Sequence, residues 1–202
     1  MKKNLIGIIG AGYQATETAL YLRSSGYEIV FFADELVSRE EVHDKEGIRY
    51  INISEIPRDS KIITAVGDSN LRKKLVAQIG NIYTNCIMQK MEKNVTYGKD
   101  VTIAPGCTFT TNISIGSHVL INIGCNISHD VTINDFVTIS PGVNIAGKCN
   151  IGEGTFLGIG TSIIDGINIG NCCVVAAGAV VVKDVPDGLT IAGVPARPVV
   201  RE

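Results

Sequence analysis

The chain has no tryptophan, and aromatic residues make up only 5% of its 202 positions. A core poor in rings but rich in Ile and Val suits many short β-segments joined by tight corners, and 22 glycines are available to make them. Long basic runs are also absent and the formal net charge is −2, which argues against nucleic acid or an anionic membrane surface as partner. Long apolar runs are missing too. The start MKKNLIGIIGAG imitates an export signal, but polar Gln14, Thr16 and Glu17 follow at once, and no segment reaches bilayer-spanning length. We therefore expect a cytoplasmic protein without membrane insertion, whose six cysteines remain reduced thiols.

What is present falls into two halves with different periods. Residues 1–90 alternate between strand and helix. Leu5–Gly10 reads as a buried strand, followed by the turn Gly10-Ala11-Gly12 and a helix to about Ser25. Glu28–Asp34 is a second strand ending in an acid, and Lys61–Val66 a third, followed by Gly67 and the helix LRKKLVAQI. Ile82–Ile87 is a candidate fourth. Apolar strands alternating with helices predict a small Rossmann-like parallel sheet, an α/β domain over 1–90.

From about residue 95 every sixth position is apolar. The series runs from Ile103 to Val181 without a slip, and Phe109 is its single non-aliphatic member. A second column two residues earlier holds small or branched side chains, among them Cys107, Cys125, Cys149 and Cys173. Gly, Asn, Ser or Ala mostly follows the aliphatic residue, as at Gly116, Asn122, Ser128 and Gly152, and we expect these positions to make the corners. Such a repeat predicts a triangular parallel β-helix over 91–202: one strand and one corner per hexad, three hexads per coil, and a prism ~22 Å tall at ~4.8 Å per coil. The inward cysteines are then packing residues.

Three histidines are the candidates for proton chemistry. His43 lies in a polar, loop-like stretch, while His118 and His129 fall inside the coil but off its inward columns, pointing outward near corners. His129 precedes Asp130, and its neighbours one coil away, at the 18-residue spacing, are the small Thr111 and Gly147. A histidine beside a carboxylate can work as a general base near neutral pH, and small neighbours leave room for a ligand. From spacing alone a plain surface histidine remains open. Two coil histidines fall short of the three that a zinc lyase on this scaffold needs, so no metal is expected.

The GAG turn, Asn122, the His129-Asp130 pair, the unbroken hexads and the ending Ala177-Gly-Ala-Val-Val-Val-Lys-Asp-Val-Pro186 with Ala192-Gly-Val-Pro-Ala-Arg197 resemble, in order and spacing, the sugar O-/N-acetyltransferases typified by NeuD and PglD. The resemblance implies a left-handed β-helix, a homotrimer, acetyl-CoA as co-substrate and a nucleotide-linked sugar held by the N-terminal domain. It puts His129 on the general base and Asp130 on the acid that raises its basicity. It places Asn122 on the acceptor side, and Ile159 and Ala177 where backbone meets acetyl-CoA. Thr138 occupies a position where the relative compared has a second histidine touching the cofactor. In the N-terminal domain it puts Gly12, Tyr13 and Gln14 on the sugar-nucleotide turn, Asp34 on the acid ending the second strand and Gly67 on the third strand's exit. This turn is GAGYQA rather than GxGGHG, with Gln14 in place of a histidine, so nucleotide and sugar are left open.

The implied activity is acetylation of the 4-amine of a nucleotide-linked 4-amino-4,6-dideoxy sugar for bacterial surface glycans, by direct transfer. O-acetylation of a sialic-acid type sugar is the close alternative, and a non-catalytic sugar-nucleotide-binding trimer the distant one. The G-x-G-x-x-A turn also resembles a dinucleotide fingerprint, but the first 90 residues leave little room for a nicotinamide half.

Overall fold

The computed structural model describes residues 4–36, 44–45, 48–80, 82–91 and 94–199; His43 lies outside them. The N-terminal elements are β1 (Asn4–Ile9), α1 (Tyr13–Ser24), β2 (Tyr27–Asp34), β3 (Asp44–Lys45), β4 (Ile48–Asn52), β5 (Lys61–Thr64), α2 (Ser69–Gln78) and β6 (Ile82–Tyr83). They form one sheet in the order β3-β4-β2-β1-β5-β6, parallel throughout except that β3 runs against β4. Ile6, Ile8, Leu22, Phe32 and Ile63 pack on the α1 face, and Ile9, Phe31, Ile51, Ile62 and Leu75 on the α2 face. Gly7 makes the second layer possible: a methyl there would meet the Phe31 ring at 2.1 Å. The strand β4 is not foreshadowed by an apolar run, because only Ile48 and Ile51 of IRYIN are buried on this outer strand.

The chain passes from β1 to β2 on one side and later to β5 on the other, so strand order reverses at β1. In open parallel sheets the crevice at the C-terminal ends of such strands is where ligands bind. Gly10, Gly12, Asp34 and Gly67 all lie at that end. Gly10 is required by the fold, with φ at 111° and the Ala65 carbonyl oxygen 2.8 Å from where a Cβ would stand.

The remainder is a left-handed parallel β-helix of the expected triangular kind. Thr102–Ile103, Leu120–Ile121, Thr138–Ile139, Phe156–Leu157 and Val174–Val175 stack as its first face. Thr108–Phe109, Asn126–Ile127, Asn144–Ile145, Ser162–Ile163 and Val180–Val181 form the second. Val95–Tyr97, Ile113–Ile115, Thr132–Ile133, Asn150–Ile151 and Asn168–Ile169 form the third. Pairs such as Leu120 with Thr138 keep the 18-residue spacing. The last coil is shorter, for Val174 pairs with Thr190 where that spacing would select Ala192. Ile103, Ile121, Ile139, Leu157 and Val175 are all fully buried, each burial being worth roughly 1.5–3 kcal/mol.

The coil takes up the chain earlier than residue 91. Cys86–Ile87 already pairs with Thr102–Ile103, so the expected strand 82–87 is split between the two domains.

The corners differ from expectation in one respect. Left-handed backbone occurs three residues after the column positions up to Val175, not directly after them. Gly106, Gly124, Gly142, Gly160 and Gly178 line the edge between the first and second faces; Asn112, Asp130, Lys148 and Gly166 line the next; Asp100, His118, Phe136, Gly154 and Cys172 line the third. The residue after the aliphatic one is small for another reason: the next coil passes over it. A Cβ on Gly152 would lie 2.4 Å from the Gly170 carbonyl.

The inward cysteines are free thiols, as expected, and they also donate across coils. Cys107 Sγ reaches the Asn122 carbonyl at 3.0 Å, Cys125 that of Ser140 at 3.2 Å and Cys149 that of Ile164 at 3.2 Å. Thr161 does the same with its hydroxyl toward Ala176, at 3.3 Å.

The N-terminal domain is fastened to the third edge by a buried polar knot. Arg72 is 1% exposed and donates to the carbonyls of His118 (2.9 Å), Val66 (2.6 Å) and Phe136 (2.7 Å) and to Thr138 Oγ1 (2.9 Å). Burial pulls its guanidinium down to about 10, against the pull of Asp100 and Asp68. Asp100, 2% exposed, accepts from Thr64 N (2.7 Å), Thr64 Oγ1 (2.5 Å) and His118 Nδ1 (2.7 Å). Burial pushes its carboxyl up, partly offset by the His118 and Thr64 donors. Ser69 Oγ to the Gly154 carbonyl (2.8 Å) and the Lys73–Glu153 ion pair complete the seam.

Candidate functional site

His129 stands on the edge between the second and third faces. Its Nδ1 is 2.8 Å from Asp130 Oδ2, and Asp130 also accepts from Asn112 Nδ2 at 3.2 Å. These two donors, His129 first, hold the Asp130 carboxyl below the usual range. An ionised carboxylate can only accept, so Nδ1 carries the proton and Nε2 keeps its lone pair free. The ring edge lies over Gly147: a methyl there would be 2.5 Å from Cε1 and 2.6 Å from Nε2. The small neighbour read from the 18-residue spacing thus has a definite task, to leave the imidazole its place.

That same point above Gly147 is 2.9 Å from Asp165 Oδ1, a residue not singled out from the sequence. The signal was there, since Asp165 follows Gly147 at the next 18-residue step on this edge. A groove of about 550 Å³ runs over the second face and is lined by Ser128, Ala146, Ile164 and Asp165 among others.

Ile159 and Ala177 are exposed and sit one above the other, with Gly178 N donating to the Ile159 carbonyl at 2.7 Å. They belong to the other edge of the second face, the edge of Ile123 and Pro141. One chain therefore presents the base on one side of this face and the expected acetyl-CoA backbone on the other.

Two residues expected at the ligands are buried in the single chain. Thr138 is 2% exposed; its hydroxyl donates to the Gly67 carbonyl at 2.9 Å and accepts from Arg72, so it serves the domain seam and offers no surface to acetyl-CoA in this chain. Asn122 is 8% exposed and its Nδ2 donates to the Ile139 carbonyl at 3.1 Å, the cross-coil stitch that Asn134 also makes to Ile151. His118 points away from the coil as expected but is 4% exposed, stacked on Phe136 beneath the N-terminal domain.

At the switch point the expected residues lie just past the C-terminal ends of β1, β2 and β5. Gly12 precedes α1, Tyr13 opens it and is 93% exposed, and Asp34 ends β2 with one oxygen taken by Leu36 N at 3.0 Å. A side chain at Gly12 or at Gly67 would meet nothing within 4 Å, so packing does not demand glycine at either position. Gln14 Nε2 is buried without a partner among the described residues. This end of the sheet belongs to the domain on the third edge, not to the edge that carries His129.

Residues 5–79 match the model of the PglD N-terminal domain. Over 97% of both chains, the structure matches a perosamine N-acetyltransferase from Caulobacter crescentus, solved as a single-site mutant in complex with CoA and GDP-perosamine, with 27% identity and a TM-score of 0.88. By this domain match and this structural match, the chain is similar to the NeuD/PglD-type acetyltransferases. The acetyltransferase domain of PglB from Neisseria gonorrhoeae, in complex with acetyl coenzyme A, matches over 98% of this chain and 100% of its own, with 26% identity and a TM-score of 0.87. WeeI from Acinetobacter baumannii matches over 96% and 99%, with 26% identity and a TM-score of 0.81. No curated protein sequence matches significantly. Among the described residues, no helix is long and apolar enough to cross a membrane and no cluster of ligating side chains could hold a metal ion.

Proposed function

We propose that this protein is an acetyl-CoA-dependent N-acetyltransferase acting on a nucleotide-linked 4-amino-4,6-dideoxy sugar. The observation that carries the proposal is the His129 ring, with Nδ1 on Asp130 and Nε2 free over Gly147. The relatives solved with CoA, acetyl coenzyme A and GDP-perosamine support the choice of co-substrate and acceptor class.

The acceptor enters as an ammonium and loses one proton to solvent. Its nitrogen attacks the thioester carbonyl carbon, and the second proton passes to His129 Nε2. Backbone N–H groups at a corner stabilise the oxyanion. As the C–S bond breaks, the imidazolium returns its proton to the CoA thiolate, leaving amide and free thiol. Asp130 steadies the imidazolium and fixes the tautomer. Gly12, Tyr13, Gln14, Asp34 and Gly67 hold the nucleotide sugar; Ile159 and Ala177 hold acetyl-CoA.

A homotrimer is the assembly that this reading calls for. Base, co-substrate edge and sugar crevice lie on different edges of one prism, so copies packed face to face would bring one chain's His129 to another's Ile159 and Ala177. The test is release of free CoA thiol with a panel of UDP-, dTDP- and GDP-linked amino sugars. His129→Ala is expected to lose most turnover while keeping acetyl-CoA binding, and near-normal turnover in that variant overturns the assignment of the base.

A further inference from the structure

The acids along the coil edges are not equivalent. Asp135 Oδ1 accepts from Ser117 N at 2.7 Å, Asp187 Oδ1 from Asn171 N at 2.8 Å and Asp184 Oδ1 from Asn168 N at 2.8 Å. Each closes a corner by bonding the backbone of the coil below. Asp165 makes no such bond among the described residues, and no lysine or arginine among them stands within ion-pair distance of it. It is exposed, lines the groove over the second face and converges with His129 Nε2 above Gly147. A carboxylate with no structural duty thus shares a small gap with the free nitrogen of the candidate base.

We infer that Asp165 selects the acceptor by charge: it binds the protonated amine of the incoming sugar beside His129 and favours an amino over a hydroxyl acceptor. The inference rests on the acyl-transfer function proposed above and deepens it. An ammonium gives a carboxylate a charge-assisted hydrogen bond, whereas a sugar hydroxyl gives a neutral one about half as strong. The preference arises in binding, before the amine sheds its first proton, so it appears in KM more than in kcat.

The experiment compares the full chain with its Asp165→Asn and Asp165→Glu variants. The acceptors are a nucleotide-linked 4-amino-4,6-dideoxyhexose and the same nucleotide sugar with a hydroxyl at carbon 4. The hydroxyl sugar is followed as a substrate by CoA release and as a competitive inhibitor. Asp165→Asn is expected to lose about tenfold in kcat/KM for the amine, mainly through KM, with the hydroxyl sugar unchanged, and Asp165→Glu to recover part of the loss. A loss of folding or of the His129 geometry would lower both acceptors together. An unchanged amine-to-hydroxyl ratio in Asp165→Asn overturns the inference alone. Absence of CoA release from the unaltered chain with either sugar overturns the acyl-transfer function and the inference with it.

Discussion

Gly147→Ala separates the site from the scaffold. Ordinary van der Waals contact for a Cβ begins at 3.4 Å, yet a methyl on residue 147 would stand 2.5 Å from His129 Cε1, 2.6 Å from Nε2 and 2.9 Å from Asp165 Oδ1. All three atoms are ends of side chains, so the coil need not move; the imidazole must, by about 1 Å. Swinging it off its rotamer costs only about 0.5–1.5 kcal/mol, and removing a glycine from the unfolded chain returns about 0.4–1 kcal/mol, so stability stays nearly level. A misplacement of that size at a reacting group costs about 100-fold in rate. The assay pairs CoA thiol release with thermal unfolding: turnover is expected to fall about 100-fold with an unchanged melting temperature. Gly158→Ala is the contrasting control, because its methyl would meet backbone, Ala177 N at 2.6 Å and Val175 O at 2.7 Å, and it should destabilise the coil by about 1–3 kcal/mol. A folded Gly147→Ala enzyme with full turnover would refute the idea that the ring works from its place over residue 147.

Three further outcomes are expected. Asp130→Asn lets an amide donate to Nδ1 and puts the proton on Nε2; with the pair partly exposed, kcat is expected to fall about 10–100-fold while acetyl-CoA affinity, read by calorimetry, holds. Arg72→Met leaves the buried Asp100 without its nearby cation and several carbonyls without donors, so denaturant unfolding should show a loss of roughly 3–5 kcal/mol confined to the N-terminal domain and its seam. Cys125→Ser keeps a donor for the Ser140 carbonyl, as Thr161 does for Ala176, and is expected to shift stability by less than about 1.5 kcal/mol in the same assay.

The coil was legible because its core constrains every sixth residue, and one periodic signal sets strands, inward columns and stacking together. The same phase located His129 and Gly147. It was silent on what lies outside the prism. Thr138 and His118 both point away from the coil, and an outward phase does not tell solvent from a covering domain; both prove buried in the seam. Nor does any period join Arg72 to its partners. Three basic residues stand together in LRKKLVAQ, yet Lys73 and Lys74 are exposed while Arg72 is the largest fully buried side chain among the described residues. In the N-terminal sheet, Arg49 and Tyr50 hid β4, because a strand that buries only Ile48 on one face and Ile51 on the other lacks the continuous apolar run of β1.

Corner chemistry was legible in composition and misread in position. Small residues follow the aliphatic column because the next coil lies over them, whereas the turn itself is made two residues later and tolerates His118, Phe136 and Lys148 with positive φ. That distinction bears on the site. Asp130 is such a left-handed residue, with φ at 59°, and this backbone swing sets its carboxylate beside the ring of its own neighbour in sequence. The pairing is therefore local and present in a single chain. The proposed co-substrate edge lies apart from it in one chain, because Ile159 and Ala177 occupy the opposite edge of the second face. The proposed homotrimer then predicts a separation on dilution: a monomer would keep the His129–Asp130 contact, visible in the histidine ring resonances, and lose acetyl-CoA affinity and turnover together.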